Sequence, residues 1–393
     1  MEISNMWYMN EDRQMVVNMV REFAEKELAP VAVKMDMDPE ESFPLEQFKR
    51  AGELGLLSVT WPEKYGGMGA DYTTLALVYE EIAKVMPALT VGMGAHTVLA
   101  GELLILLGND EQKQKWLVPA ASGEAIITCS QTEASGGMNR TEWSCKAELE
   151  GDEYVINGTK VFCSNLKVSD YYIVLCVTNE VNPVDASGIS AIVVPADTPG
   201  VSCGAYEKKL GWHGSATGTL SFENVRVPKE NLLGAVDRGM IGLMISATNE
   251  FMSCGAVGLG MAEACYDMAF KYAHERIQNG KSLWENYQVV RHMLVDMWTE
   301  VETLRGLVFG AFAEKDAGAM CLGRGRLLKN QGAHIAMDVA DKAIQIFGGL
   351  GCVKETGVER FWRDARVMHI GGAAVEALKD DIAGYMDRGI ENN

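Results

Sequence analysis

Glu250 is the residue whose setting most invites chemistry. It sits between Met244-Ile245 and Phe251-Met252, where a carboxylate either lies on the solvated face of a helix or is held among apolar side chains for a purpose. A carboxylate kept from water holds its proton up toward neutral pH, which suits it to general acid/base work. Other chemistries have little to start from. The chain has no H-E-x-x-H, G-x-S-x-G or phosphate-loop pattern, and its six histidines are dispersed. No metal site and no serine-hydrolase triad are therefore expected. Gly255-Ala256-Val257-Gly258-Leu259-Gly260 is a tempting glycine pattern, but it lies inside a helical run with no strand before it. Its small residues predict close helix packing rather than a dinucleotide fingerprint.

The elements that must position these residues follow in three blocks. Asn10 before Glu11 and Asp12 predicts a helix start, and Met15, Val16, Met19, Val20, Phe23 and Leu28 predict one buried stripe. Helical patterns continue over Leu45–Leu57, Thr73–Val85 and Gln112–Ala121, broken by the turn-rich Pro62–Gly67. From about Ile126, strands are predicted at Tyr154–Ile156, Tyr171–Val177, Ile189–Val194 and Thr219–Val227, with Asn157-Gly158 as a hairpin turn. Helical periodicity returns after Leu233-Gly234 and runs to about Asp387, in segments long enough for a bundle. The reading is α+β: an N-terminal helical domain over 1–125, a central β-domain over 126–235 and a C-terminal helical bundle over 236–393.

Composition sets limits on partners. At 393 residues, 48% hydrophobic and 23% charged, the chain has the make-up of an ordinary globular protein with a substantial core. A net charge of −19 argues against nucleic acid and anionic membranes, which need basic patches. Nine cysteines without a C-x-x-C pair predict buried free thiols in a reducing cytosol. Met1–Asn5 has no basic signal-peptide region, and the uncharged run Val85–Gly101, holding Pro87 and three glycines, is too short and broken for a membrane span. A soluble, cytoplasmic protein is expected.

Seven motifs add a resemblance. They are Pro62-Glu63-x-Tyr65-Gly66-Gly67-x-Gly69, Thr132-Glu133-Ala134-Ser135-Gly136-Gly137-Met138-Asn139, Gly158-x-Lys160-x-Phe162-Cys163-Ser164-Asn165 and Lys209-Leu210-Gly211-Trp212-His213-Gly214-Ser215-Ala216-Thr217. There follow Arg276 and Gly280 with Gln288 and Asp296-Met297, then Ala343-Ile344-Gln345-Ile346-Phe347-Gly348-Gly349, and last Arg360–Ile370 with Gly371-Gly372-Ala373-Ala374. In order and nearly in spacing, over roughly residues 10 to 385, the chain resembles the acyl-CoA dehydrogenases. Most of that family continues the last motif as Ile-Tyr-Glu-Gly-Thr, and the Glu takes a proton from the substrate. Here that slot holds Gly372, which cannot. A minority of the family, including isovaleryl- and long-chain-acyl-CoA dehydrogenases, carries the Glu on an earlier helix, 26 residues before the Arg matched by Arg276. Since 276 − 26 = 250, that place is Glu250. Crotonobetainyl-CoA reductase is similar in pairing an early Glu with a later Gly-Gly. Glu376 falls on the family's cofactor-facing Gln and is not expected to be the base.

The resemblance implies that a thioester loses an α-proton to Glu250 while a hydride leaves its β-carbon for FAD, or the reverse on an enoyl-CoA. Gln131, Thr132 and Ser164 would hydrogen-bond the flavin, and Phe162 would be its aromatic wall. Arg276 would pair with the pyrophosphate, and Gln288, Gln345, Gly348 and Gly349 would reach the cofactor from a neighbouring subunit. The Gly372 N–H would hold the thioester carbonyl, with Met138, Phe251 and Gly371 beside the substrate. Phe251 stands where the family has an Arg. Without the side chain at Gly372, and with Gly371 beside it, room near Cα and Cβ predicts a preference for branched, cyclic or polar-headed acyl groups over straight ones. The family also implies a homotetramer, electron-transferring flavoprotein as redox partner and a place in fatty-acid metabolism. Two other outcomes stay open: a flavin-binding member without acyl-CoA redox activity, and an acyl-CoA oxidase using oxygen.

Overall fold

Helix-forming sequence at both ends of the chain builds one shared core, and the strand-forming middle packs beside it. The computed structural model describes residues 6–38 and 43–391; Met1–Asn5, read above as lacking a leader, lies outside them. The first helix, Glu11–Phe23, is capped by the Asn10 side chain, which accepts from the Arg13 N–H at 2.8 Å. Val17, Val20, Phe23 and Leu28 are buried, whereas Met15 is 64% exposed, so the stripe is rotated away from Met15. The second predicted helix stops at Glu53, four residues short of Leu57, because the chain turns at Gly55 with φ +77°. The run holding Pro87 is not broken. Pro87–Leu107 is continuous helix of 21 residues, long and apolar enough to cross a membrane, but most of it is buried in the core. Pro87 sits in the first turn, where its missing N–H costs nothing.

The strands are β1 (Ile127–Ser130), β2 (Lys146–Glu150), β3 (Glu153–Ser164), β4 (Tyr171–Val177), β5 (Ile189–Pro195), β6 (Val201–Tyr206), β7 (Thr217–Pro228) and β8 (Leu232–Leu233). They form one sheet in the order β6-β7-β3-β2-β4-β5-β8, with β1 parallel to β4. The Asn157-Gly158 hairpin does not occur. The β2–β3 turn lies between the paired Glu150 and Glu153, and β3 runs straight through Gly158. Gly158 is needed for another reason: at φ +145° a Cβ there would lie 2.4 Å from the Cys145 backbone.

Three long helices, Gly239–Glu275, Gln288–Asp316 and Leu322–Phe347, with the shorter Val358–Met368 and Val375–Met386, complete the chain. The glycine pattern at 255–260 lies inside the first of these and does what small residues permit. A Cβ on Gly258 would meet the Gly332 carbonyl oxygen at 2.5 Å, and one on Gly260 the Glu80 carbonyl oxygen at 2.3 Å. The same helix therefore packs tightly on both the Leu322–Phe347 helix and the N-terminal Tyr72–Ala83 helix. A buried Arg305 bridges them further, to Glu80 at 2.7 Å and Glu263 at 2.8 Å. This clasp makes the Gly239–Glu275 helix a rigid mount for what it carries.

Candidate active site

Glu250 is on that helix, half-buried, and among the described residues no hydrogen bond reaches its carboxylate. Burial pushes its pKa up from 4.5 to about 7, and the positive charge of Lys329 works against the rise. Such a group is poised to take or give a proton near neutral pH. Gly372 faces it. A Cβ built on Gly372 would lie 3.6 Å from Glu250 Oε1 and 3.9 Å from its carboxyl carbon. Residues 122 positions apart (372 − 250) therefore meet at one point, and a side chain at either place would enter the same space. Gly372 also needs to be glycine for its backbone, since φ is +76°. Among the described residues no hydrogen bond uses its N–H, which leaves that donor for a ligand.

Gly371 does not open the pocket as expected. A Cβ there would run into the Trp212 ring at 2.4 and 2.6 Å, so the space vacated at Gly371 is filled by an indole rather than offered to substrate. Trp212 is held from three directions. Its backbone N–H donates to Asp364 at 2.5 Å, while the adjacent His213 pairs with Asp36 at 3.0 Å and Arg363 reaches Asp36 at 2.8 Å. Asp36 keeps its carboxyl well below the usual range because His213 and Arg363 overcome its burial, and Asp36 in turn raises His213. The loop from Lys209 to Thr217 is thereby tied to the N-terminal helices and to the segment before Gly371. Phe251 is buried against Ala373 and Leu378, with the Arg326 guanidinium 5.4 Å from its ring centre. It packs beneath the Gly371–Ala374 segment through Ala373. Glu376 is exposed at the start of the last helix.

The β-domain presents the second part of the site. Lys160 is fully buried, pairs with Glu133 at 2.8 Å, donates to the Gln131 carbonyl at 3.0 Å and lies over the Trp143 ring. With the Val161 N–H donating to the Thr132 carbonyl at 2.8 Å, it pins Gln131-Thr132 along β3. At that point β3 carries a bulge between Lys160 and Cys163, and Phe162 takes φ +53° with 64% of its surface exposed. A large aromatic in strained backbone, turned out of its own sheet, suits a flat partner stacked on it. Ser164 follows, half-buried; Met138 is exposed further along the loop after Thr132. Cys129, at the end of β1, lies within the electrostatic reach of Glu250, so this face and the carboxylate belong to one region.

Arg276 falls elsewhere. The sequence reading set it apart from Gln345, Gly348 and Gly349, yet all four line one groove of about 860 Å³ in the same chain, next to Gln278 and Val289. Gln288, exposed, adjoins it. Nothing lies within 4 Å of a Cβ added at Gly348 or Gly349, so backbone is open to a ligand. Because 26 residues of helix rise about 39 Å at 1.5 Å each, Arg276 at the C-terminal end of the Gly239–Glu275 helix lies about that far along it from Glu250.

Sequence reasoning missed Lys329 and Trp212. Lys329 lies on the Leu322–Phe347 helix, fully buried, with its ammonium donating to the Ala373 carbonyl. A lysine amid Leu328, Asn330 and Gly332 gives no sign in the sequence that its face is the buried one.

Family models for the acyl-CoA dehydrogenase N-terminal, middle and C-terminal domains match residues 10–124, 128–225 and 237–386. The chain is 37% identical over 377 residues to the short-chain specific acyl-CoA dehydrogenase of Clostridium acetobutylicum, covering 96% of this chain and 98% of that one. It superposes on butyryl-CoA dehydrogenase from Megasphaera elsdenii with a TM-score of 0.91 and 31% identity, covering 96% and 98% of the two chains. It also superposes on a chain of the electron transferring flavoprotein structure from Acidaminococcus fermentans, with a TM-score of 0.91 and 34% identity over 95% and 97%.

Proposed function

As the chain belongs to the acyl-CoA dehydrogenase family, we propose that Glu250 is the acid/base of a reaction at the Cα–Cβ bond of an acyl-CoA or enoyl-CoA thioester. FAD, the family's cofactor, would supply the hydride chemistry at Cβ when bound. The residues present fit it. Phe162 offers an exposed ring, Gln131-Thr132 and Ser164 offer polar groups at its side, and the Arg276 groove offers a cation and bare glycine backbone. About 39 Å of helix separates Glu250, whose region the Phe162 face shares through Cys129, from Arg276 within one chain. We therefore assign the Phe162 set to the flavin ring and the Arg276, Gln345, Gly348 and Gly349 set to the far end of a cofactor held by another copy, in a homotetramer.

The observation that carries the reading is the 3.6 Å approach of the Gly372 Cβ position to Glu250 Oε1. A thioester Cα seated over Gly372 has one carboxylate to meet, and that carboxylate is Glu250. With a pKa of about 7, Glu250 can remove a proton in oxidation and deliver one in reduction. The Gly372 N–H donates to the thioester carbonyl, where negative charge gathers as the α-proton leaves. Trp212 closes the Gly371 side and keeps water from the carboxylate. The absent side chain at Gly372 alone widens the pocket near Cα, and it favours a short acyl chain with a branch or a compact head over a long straight one. Electron-transferring flavoprotein is the redox partner, and the enzyme works in the cytoplasm in acyl-CoA metabolism. The test is flavin bleaching by a series of acyl- and enoyl-CoA thioesters in the parent and in Glu250→Gln. Bleaching in the parent and none in the variant is expected; equal bleaching in both would overturn the assignment.

A further inference from the structure

A buried lysine without a carboxylate bonded to it needs an explanation, because an ammonium is costly to bury unless something repays it. Lys329 is fully buried, and its only hydrogen-bond acceptor among the described residues is the Ala373 carbonyl. Ala373 follows Gly372, so the ammonium grips the backbone of the segment that faces Glu250. We propose that Lys329 positions the catalytic pair: one ammonium fixes the Gly371–Ala374 segment through its backbone and stands as counter-charge to the Glu250 carboxylate.

Groups from several elements face this point, and none competes with Lys329 as a cation. From the Gly239–Glu275 helix, Cys254 lies one turn beyond Glu250, and burial pushes its thiol up to about 12. Tyr79 on the Tyr72–Ala83 helix and Cys129 on β1 are within reach of Glu250, and burial raises both, so each stays neutral. Glu376 acts on Lys329 from the last helix but is exposed, where solvent weakens its pull. His369 faces Lys329 from beyond the Val358–Met368 helix, and burial holds it below its ordinary 6.5, hence neutral at pH 7. Glu250 is thus opposed by a single fixed charge. Burial lowers the proton affinity of Lys329 and raises that of Glu250, and their mutual field draws each part of the way back. The lysine can therefore set the pH at which Glu250 changes from proton acceptor to proton donor, while holding the Gly372 N–H in place.

The inference rests on Glu250 as acid/base, and the two can be tested apart. Lys329→Gln keeps a donor for the Ala373 carbonyl and removes the charge; Lys329→Met removes both; Lys329→Arg keeps both. Each holoenzyme is assayed for the pH dependence of kcat/KM with butyryl-CoA. The Glu250 carboxyl stretch is followed in parallel by infrared pH titration, assigned by its loss in Glu250→Gln. In the Gln and Met variants the apparent pKa of Glu250 should rise by about one unit, tenfold in proton affinity, by both readouts. Arg should leave it near the parent value. Met should lose a further roughly tenfold to hundredfold in kcat relative to Gln, because the Gly372 segment is released. A Gln variant with parental pKa and lower kcat would overturn the proposal and leave Lys329 a structural clamp. So would failure of both uncharged variants to fold while Arg folds. Full activity of Glu250→Gln would instead sink the assignment of the base, whatever Lys329 does.

Discussion

The Glu250 pocket and the Arg276 groove, about 39 Å apart along one helix, are built by contrasting rules. Around Glu250 protein groups hold one another, the Lys329 ammonium on the Ala373 carbonyl, the Trp212 backbone N–H on Asp364, and Lys160 on Glu133 and Gln131, while among the described residues the Glu250 carboxylate and the Gly372 N–H are left without a hydrogen bond. Around Arg276 the same chain leaves Arg276, Gln288, Gln345, Gly348 and Gly349 exposed, with Ile277 and Val289 more than half exposed beside them. On the proposed reading the first site brings its proton-moving groups together within one chain, where burial raises the Glu250 pKa. The second, on the same proposal, would grip charged and polar parts of a cofactor, and its open backbone would leave the rest to a neighbouring copy. A closed site tunes proton affinity through desolvation; an open one cannot.

The sharpest way to break this contrast is Glu250→Gln. Turnover should fall by about 10²–10⁴-fold with flavin retained, measured by steady-state assay and the flavin spectrum. Arg276→Ala should do the opposite: weaken FAD by about 1.5–3 kcal/mol, seen by ultrafiltration of the cofactor, while kcat of the loaded enzyme changes little. Loss of kcat at saturating FAD would show that the two sites are not separate.

The stability of Glu250→Gln tests desolvation itself. A carboxyl raised from 4.5 to about 7 on folding contributes stability below pH 4.5 that is lost as pH rises through 7. The variant should therefore match the parent at pH 4.5, gain on it up to pH 7 and keep a lead of about 1–3 kcal/mol at pH 8, read from thermal melts. A constant difference across this range would show that Glu250 is as well solvated folded as unfolded. The smallest effect is expected from Gly372→Ala. Its positive φ costs about 1–2 kcal/mol, and its methyl group should lower kcat/KM more for branched than for straight acyl-CoA. An equal loss with every substrate would mean that backbone strain, not space, decides.

Periodicity carried the three-block order of the chain, since helical and strand repeats are local properties of residue type. It failed where a tertiary contact outranked a local signal. Asn157-Gly158 reads as a turn, but the close Cys145 backbone makes that glycine a requirement inside β3. Pro87 and its glycines read as breaks, but the core accepts them in one helix. Met15 fits the apolar spacing yet faces out.

Residue identity marked Glu250 as a carboxylate among apolar neighbours, and the resemblance to a family motif marked Gly372 as a slot without a side chain, because motif spacing along the chain is a one-dimensional fact. Three things only the folded chain decided. One is that a Cβ at Gly372 would come within 3.6 Å of the Glu250 carboxylate, which depends on how two distant segments pack. Another is that Trp212 occupies the room Gly371 leaves, so one glycine opens the pocket and its neighbour closes it. The last is that Lys329 turns inward: a lysine in a helix belongs to whichever face the packing buries, and nothing but the tertiary structure names that face.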